Sequence, residues 1–516
     1  MADRVDAVVI GGGLGGLAAG ATLAGAGRKV VVLEQQASPG GYAQGFQRGP
    51  YRFDASLHAL NGLAPGGGWD SLYHELGIWE RVRLRRLDPI YRLRLPGKDS
   101  DIVAHADWFR YETELIDHFP AEAEGIRSYL DEVLAVYHDT RRIEEDRSAH
   151  HAPAMAEFPA HYPSLVRASD QTWEQMMARH VADPLTRAAL GGLWGYAGLP
   201  PAQCSALMGA GMIGSYHEYG GWFPAGGAQA LSDTLTQVLR ERGGTILFSQ
   251  LVTRIDFENG RAAAVTTNEG IRLEADQFIS NASAPGTMLE LLGREHLPAD
   301  YADRVAATTP SYSTFAVYLG LDSDIFAELG LGHELFLAGS ADPAHAWQAC
   351  QQGDWDQAAV SVTDYTGVDP GCAPRGHAVV VVSTPAAWGF RDTWGTGGRL
   401  AGYHENPRYL HLKEEVADAL VARAAQELPG LDAAITYLEA STPLTNFDYT
   451  LNPHGAIEGY ENSPANTGPG WLPQKTPVRN LFLAGAWTNN GGMNPAMASG
   501  VRAARLAMAE RAPAHA

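Results

Sequence analysis

Three glycines, Gly11, Gly13 and Gly16, a carboxylate at Glu34 and a second glycine pair, Gly40-Gly41, carry the clearest chemistry in this chain. The spacing Gly11-x-Gly13-x-x-Gly16 is that of a turn built to hold a dinucleotide pyrophosphate. Gly11 allows the tight turn, Gly13 lets the backbone approach the phosphates, and Gly16 lets the next helix sit close on its strand. That helix starts at Leu14 and Gly15, where free N–H groups and the positive dipole end face an anion. Glu34, about 20 residues further on, stands where a carboxylate accepts hydrogen bonds from a ribose diol, with Gln35 beside it.

A second glycine-rich block lies at the other end, Asn480-Leu-Phe-Leu-Ala-Gly485-Ala-Trp-Thr488 and then Gly491-Gly492-Met-Asn494-Pro495-Ala-Met497-Ala-Ser-Gly500. Only one dinucleotide fingerprint occurs, and a ligand held by both ends of the chain must be long. That points to FAD rather than NAD, and to a redox enzyme. Asn494-Pro495 has the form of an N-cap and first helical position. The predicted helix runs through Ala507, with Arg502, Arg505 and Arg511 in its later turns. Its N-terminus would face the pyrimidine edge of the flavin and stabilise the charge of the reduced ring.

Titratable candidates are few. From Ala188 to His217 the chain has no Asp, Glu, Lys or Arg, and Gly191-Gly192 and Pro200-Pro201 break it into two short buried helices. Leu193, Trp194, Tyr196, Leu199, Leu207, Met208, Met212 and Ile213 within it suit the lining of an apolar tunnel, or an ordinary core. His217 and Glu218 follow at once and are candidates for a base or a cation stabiliser. His58, five residues beyond Phe53, is a third candidate, near the ring. His150-His151 reads as a solvated loop pair, no metal set is expected, and nothing resembles a Ser-His-Asp or Cys-His hydrolase.

These groups need a scaffold. Residues 6–34 read as strand, Gly-rich turn, helix and strand, with Gly27 closing the helix. Helical periodicity holds from about 107 to 148, and a helix from Gly226-Gly227 runs to Arg242. Val252–Glu258 and Arg261–Thr267 around Asn259-Gly260 predict a hairpin, with strands at Thr245–Phe248 and Gln277–Ser280. Later elements are strands near Ser313–Leu319 and Ala378–Ser383 and a helix near Lys413–Glu427. The expected fold is α/β, a Rossmann-like (GR2-type) FAD-binding domain in discontinuous segments (1–95, 223–300, 456–516). An inserted mixed α+β substrate domain occupies 96–222 and 301–455.

The chain has 516 residues, more than one hydrophobic core usually supports. With 45% apolar and 19% charged residues its composition is globular. A net charge of −21 argues against a nucleic-acid partner and weakens attraction to anionic lipid. Cys204, Cys350 and Cys372 fit neither a zinc spacing nor a disulfide framework, which points to a reducing, cytoplasmic setting. Residues 7–27 carry no charge, yet their glycines predict a cofactor turn rather than a secretory leader. No run of about 18 strongly apolar residues occurs, so no spanning helix is expected.

The motifs together resemble the phytoene desaturase family of FAD-dependent oxidoreductases, with its carotenoid desaturases, carotenoid isomerases and retinol saturases. The matching pieces are the fingerprint, Pro39-Gly40-Gly41, Arg52-Phe53-Asp54, the 220–227 segment and the 481–499 segment, in the expected order. The resemblance implies that Gly40 and Gly41 line the FAD, that Val252 meets its adenine end, and that Gly485 and Met497 lie beside the flavin. It implies a long apolar polyene or isoprenoid substrate, changed by desaturation, saturation or flavin-assisted isomerisation through hydride exchange at flavin N5. Quinone or oxygen would accept electrons, because no second fingerprint serves NAD(P)H. Peripheral membrane contact is implied too, with the acidic balance counting against it. One departure stands out: Asn489-Asn490-Gly491-Gly492-Met493-Asn494 replaces the Pro-Gly-rich turn of many members and changes polarity close to the ring. Two other readings stay open. One is an amine oxidase-type enzyme acting on a small amine or amino acid, whose aromatic pair the sequence does not locate. The other is a non-catalytic prenyl-lipid carrier, against which the intact glycines and Glu34 count.

Overall fold

The computed structural model describes residues 4–148, 151, 153–488 and 491–510. Strand β1 (Arg4–Ile10) enters a turn at Gly11, whose φ of 90° suits only glycine, and passes into helix α1 (Leu14–Gly25) and strand β2 (Val30–Leu33). The two strands pair in parallel, from Ala7 opposite Val30 to Ile10 opposite Leu33, so they end side by side. Gly11 therefore lies next to Glu34. Both strands are Val- and Ile-rich and almost wholly buried, as parallel strands covered on both faces must be.

Helix α1 is built almost entirely of Leu, Ala and Gly, and a helix with no polar face has to be covered all round. It packs on the sheet, on the helix Gly227–Glu241 and on the C-terminal helix Met493–Ala509. A methyl group at Gly500 would overlap the carbonyl oxygen of Gly15, so small residues bring the first and last helices into backbone contact. Val9, Leu17 and Val32 are fully buried at this junction, each contributing about 1.5–3 kcal/mol.

The first sheet runs Thr245–Leu247, β2, β1, Arg272–Ser280, Arg261–Thr267 and Val252–Glu258, with Leu481–Leu483 also pairing, in parallel, with Arg272–Ser280. Its strands come from three separated stretches of chain. Asn259 and Gly260 take φ of 52° and 78° in the hairpin turn, as an Asn-Gly pair permits. The second sheet is mixed and runs Ile435–Ser441, Ser313–Leu321, Ala378–Ala386, Val360–Asp364, Glu334–Leu337, Tyr91–Arg94 and Ile102–Ala104. Tyr91–Arg94 thus lies in the second sheet, although it falls on the cofactor side of the boundary drawn at 95.

The stretch 188–217 divides differently from expectation. Three helices use it, Pro184–Leu190, Trp194–Ala197 and Ala206–Tyr219, the last carrying on past His217 to a C-cap at Gly220. Gly191-Gly192 and Pro200-Pro201 do break the chain, but Gly198 (φ 73°) adds a further stop. Among the described residues no helix is long and apolar enough to cross a membrane.

Candidate functional site

One cavity of about 890 Å³ runs from the ends of β1 and β2 to the second sheet. At its first end Gly11, Gly13, Leu14 and Gly15 form the wall. No side chain caps α1 and its first turn holds no acidic residue, so its amides and dipole are open to an anion. Glu34 is buried, accepting hydrogen bonds from the N–H of Gly12 (2.6 Å) and of Gln36 (2.8 Å). Burial raises its pKa, and those backbone bonds oppose the rise. Gln35, Val252, Gly40 and Gly41 lie on the same wall, with Gly40 (φ 127°) donating its N–H to the carbonyl of Gly12 at 2.9 Å.

Asn281 joins this wall from the carboxyl end of the strand beside β1. Added methyls at Gly13, Gly15 or Gly485 would each collide with its side chain. Asn281 is therefore the piece that meets both the N-terminal turn and the C-terminal block. The residue just past a strand parallel to the fingerprint strand sits in the ligand crevice of such sheets, a signal the sequence did carry.

At the other end the wall is apolar and aromatic, with Trp194, Tyr196, Leu207, Met208 and Met212 from the uncharged stretch and Leu93, Leu95 and Phe336 from the second sheet. Two ionisable groups interrupt it. His58 is held through Nδ1 by Glu334 (3.1 and 3.2 Å) and by the Thr363 hydroxyl (2.8 Å), with the Tyr196 ring edge-on at 5.7 Å. Burial pulls the His58 pKa down, but the Glu334 carboxylate outweighs it and the net shift is upward. Glu458 accepts a hydrogen bond at Oε2 from the Asn462 amide (2.8 Å), and burial pushes its pKa up to about 8. Glu75, Arg141, Glu144, Glu145, Arg502 and Arg505 also line the cavity, where Arg502 pairs with Glu144 at 3.2 Å, and Glu290 is a further acidic residue of its lining.

A sequence profile of the flavin containing amine oxidoreductases matches residues 14–508. The chain belongs to that family. Prolycopene isomerase 1 of an Oncidium hybrid cultivar is 25% identical over 506 residues, covering 94% of this chain and 80% of that protein. A phytoene desaturase (lycopene-forming) of Paracoccus sp. is 28% identical over 528 residues, covering 97% of each. A solved putrescine oxidase matches with a TM-score of 0.65 at 16% identity, covering 99% of this chain and 100% of that one, a likeness of fold. These are relatives of the kind the motif resemblance implied, and the chain is an FAD-dependent oxidoreductase. The glycine wall, the open helix start and the buried carboxylate beside the turn fit an extended dinucleotide.

The flavoprotein departs from expectation at several residues. His217 does not line the cavity: it is buried on the far side of its helix, stacked on Tyr111 (3.7 Å, 7°), with Nδ1 bonded to the His105 carbonyl (2.7 Å). Burial lowers its pKa to about 4, so it is a neutral core residue. Glu218 is also outside the cavity and pairs with His138 at 3.0 Å. Met497 is fully buried behind the wall rather than in it, and Gly16 packs on Gly11 without reaching the cavity. Leu193, Leu199 and Ile213 belong to the core. Asn494 is not an N-cap: the helix begins at Met493 after Gly492 (φ 98°), and Asn494 accepts from Tyr73 Oη (3.0 Å) and donates to the Asn61 carbonyl (3.1 Å). Gly485 lines the cavity. Asn489, Asn490, His150 and Arg511 lie outside the described residues. Sequence reasoning missed Asn281, Glu334 and Glu458, whose surroundings are assembled from distant segments.

Proposed function

We propose that this oxidoreductase exchanges a hydride between flavin N5 and a long apolar polyene or isoprenoid, in desaturation, saturation or flavin-assisted isomerisation. The single observation behind this reading is the continuity of the cavity. The same cavity is lined by Gly13, Gly15 and Gly485 and by Trp194, Leu207, Met208, Met212 and Phe336. The two carotenoid-related relatives support the same class of substrate.

Bound FAD supplies two-electron hydride chemistry. The start of α1 would hold its pyrophosphate, Glu34 and Gln35 its ribose and Val252 its adenine end, while Gly40, Gly41 and Gly485 would admit it closely. The apolar wall excludes water and aligns a hydrocarbon chain, as such chemistry requires. In this reading His58, its Nδ1 side held by Glu334, takes a proton from substrate. Quinone or oxygen takes the electrons onward, and apolar substrate enters from a membrane surface.

Anaerobic mixing of the oxidised and photoreduced holoenzyme with carotenoids, retinoids, fatty acids and amines tests the reading. Polyenes should change the flavin absorbance and amines should not. Bleaching by amines alone would replace the polyene reading with the amine oxidase one, and a protein that takes up no flavin would leave only the carrier.

A further inference from the structure

One carboxyl group in the cavity, Glu458, is not among the residues assigned to the cofactor above. Glu458 lines the cavity between the C-terminal glycine turn and the uncharged helices. A methyl at Gly491 would collide with its side chain, so this glycine leaves room for the carboxyl. The Glu458 N–H donates to Ser311 Oγ at 2.9 Å, which sets the backbone. Asn462 Nδ2 serves Oε2 and also bonds the Ala197 carbonyl at 3.0 Å, tying the carboxyl to the apolar helices. Among the described residues no Lys, Arg or His lies in ion-pair range of Glu458, and no protein group donates to Oε1. The titratable groups that face it are Tyr312, Tyr216 and Cys204, all neutral because burial raises their pKa values.

An isolated carboxylate in such a place would be costly, and the group keeps its proton instead. A protonated carboxyl opening onto a hydrocarbon-lined cavity beside a redox cofactor has one obvious use. Resting on the functional reading above, we propose that Glu458 is the proton donor of this enzyme, delivering H⁺ to the substrate carbon next to the one that receives the hydride. In that step the Glu458 O–H bond, the hydride donor's bond to hydrogen and the substrate π bond break, and two C–H bonds form on adjacent carbons. The substrate gains two electrons and reduced flavin, the hydride source, loses two. The carboxylate left behind takes its next proton from solvent once the product has left the cavity. With its pKa raised to about 8 by burial, the acid form needed for donation is the main one at neutral pH.

The test uses purified holoenzyme, Glu458→Gln and Asn462→Leu. Infrared difference spectra of wild type against Glu458→Gln should show a carboxylic C=O band at pH 7 that disappears as pH rises through about 8. Asn462→Leu removes a hydrogen bond that favours the carboxylate, so its band should persist to higher pH. No such band in wild type at neutral pH would overturn the proposal. Photoreduced enzyme is also mixed anaerobically in D₂O with all-trans-retinol or β-carotene, and flavin reoxidation and deuterium in the product are followed. Wild type should place deuterium on carbon, and Glu458→Gln should slow reoxidation by at least about 100-fold while holding flavin normally. Equal rates in the two would sink Glu458 and leave the functional reading standing. A wild type that neither polyene reoxidises would sink that reading and the donor role with it. Should Glu458→Gln lose its flavin, Asn462→Leu decides: its rate–pH limb must move upward with its infrared band, and an unmoved limb rejects the donor.

Discussion

Replacing Gly16 with alanine should damage this protein although it lies inside a helix. In a helix interior alanine normally gains about 1 kcal/mol over glycine. At Gly16 a methyl would overlap the carbonyl oxygen of Gly11 and lie 3.1 Å from its carbon and 3.3 Å from Asn281 Cβ. Neither neighbour yields easily, because the Gly11 N–H is bonded to the Leu33 carbonyl and the Asn281 N–H to the Ile10 carbonyl, both at 2.8 Å. Overpacking costs about 1–3 kcal/mol, and an obstacle made of backbone puts this case at the upper end. The net loss is about 2 kcal/mol. Gly25, the last residue of α1, is the control, since a methyl there would meet only the Arg242 side chain, at 3.2 Å. Gly25→Ala should stay within about 0.5 kcal/mol of wild type. Denaturant unfolding of the apoprotein measures both. FAD titration by fluorescence adds a second readout: pushing α1 off its turn displaces the amides facing the pyrophosphate, so affinity should fall at least about tenfold, or 1.4 kcal/mol, in Gly16→Ala alone. A wild-type midpoint for Gly16→Ala, or equal damage from both variants, would refute the close-packing argument.

Glu334→Gln should lower the His58 pKa, because burial then acts on the imidazole without the opposing carboxylate. The raised native pKa means that the pairing contributes stability below about pH 6.5 and loses it as pH rises through the native value. The variant should therefore be more destabilised in acid than in alkali, as urea midpoints across pH will show, and a rate limb due to His58 should move to lower pH. His217→Phe works with the opposite sign. With a native pKa of about 4 against 6.5 unfolded, wild type keeps this contribution above pH 6.5 and loses up to roughly 3 kcal/mol as pH falls toward 4. The phenyl ring keeps the stack on Tyr111 and should flatten that acid sensitivity with no change in polyene-driven flavin reoxidation. An altered reaction rate in His217→Phe would put the residue back in the site.

Where the determinants lie within a few residues, the sequence alone determined the outcome. A glycine at positive φ, a run of β-branched residues and an Asn-Gly pair act on their own backbone, so β1, α1, β2 and the 252–267 hairpin were legible. That Gly11, Gly13, Glu34 and Gly40 come together on one cavity wall was legible for the same reason, since they belong to one local unit. Asn494 shows where local signals fail, because Tyr73 and Asn61, more than 400 residues away, hold its side chain and the cap goes to Gly492. The facing of titratable groups was decided only by tertiary structure. Tyr216 lines the cavity while His217, one residue on, points into the Tyr111 core, because adjacent helical residues diverge by about 100° and packing chooses the inward face. Glu334 meets His58, and Glu458 meets Asn462 and the 194–197 helix, across sheets and segments that no spacing rule relates. A carboxyl group's protonation follows from what surrounds it in space, and only the folded chain assembles those surroundings.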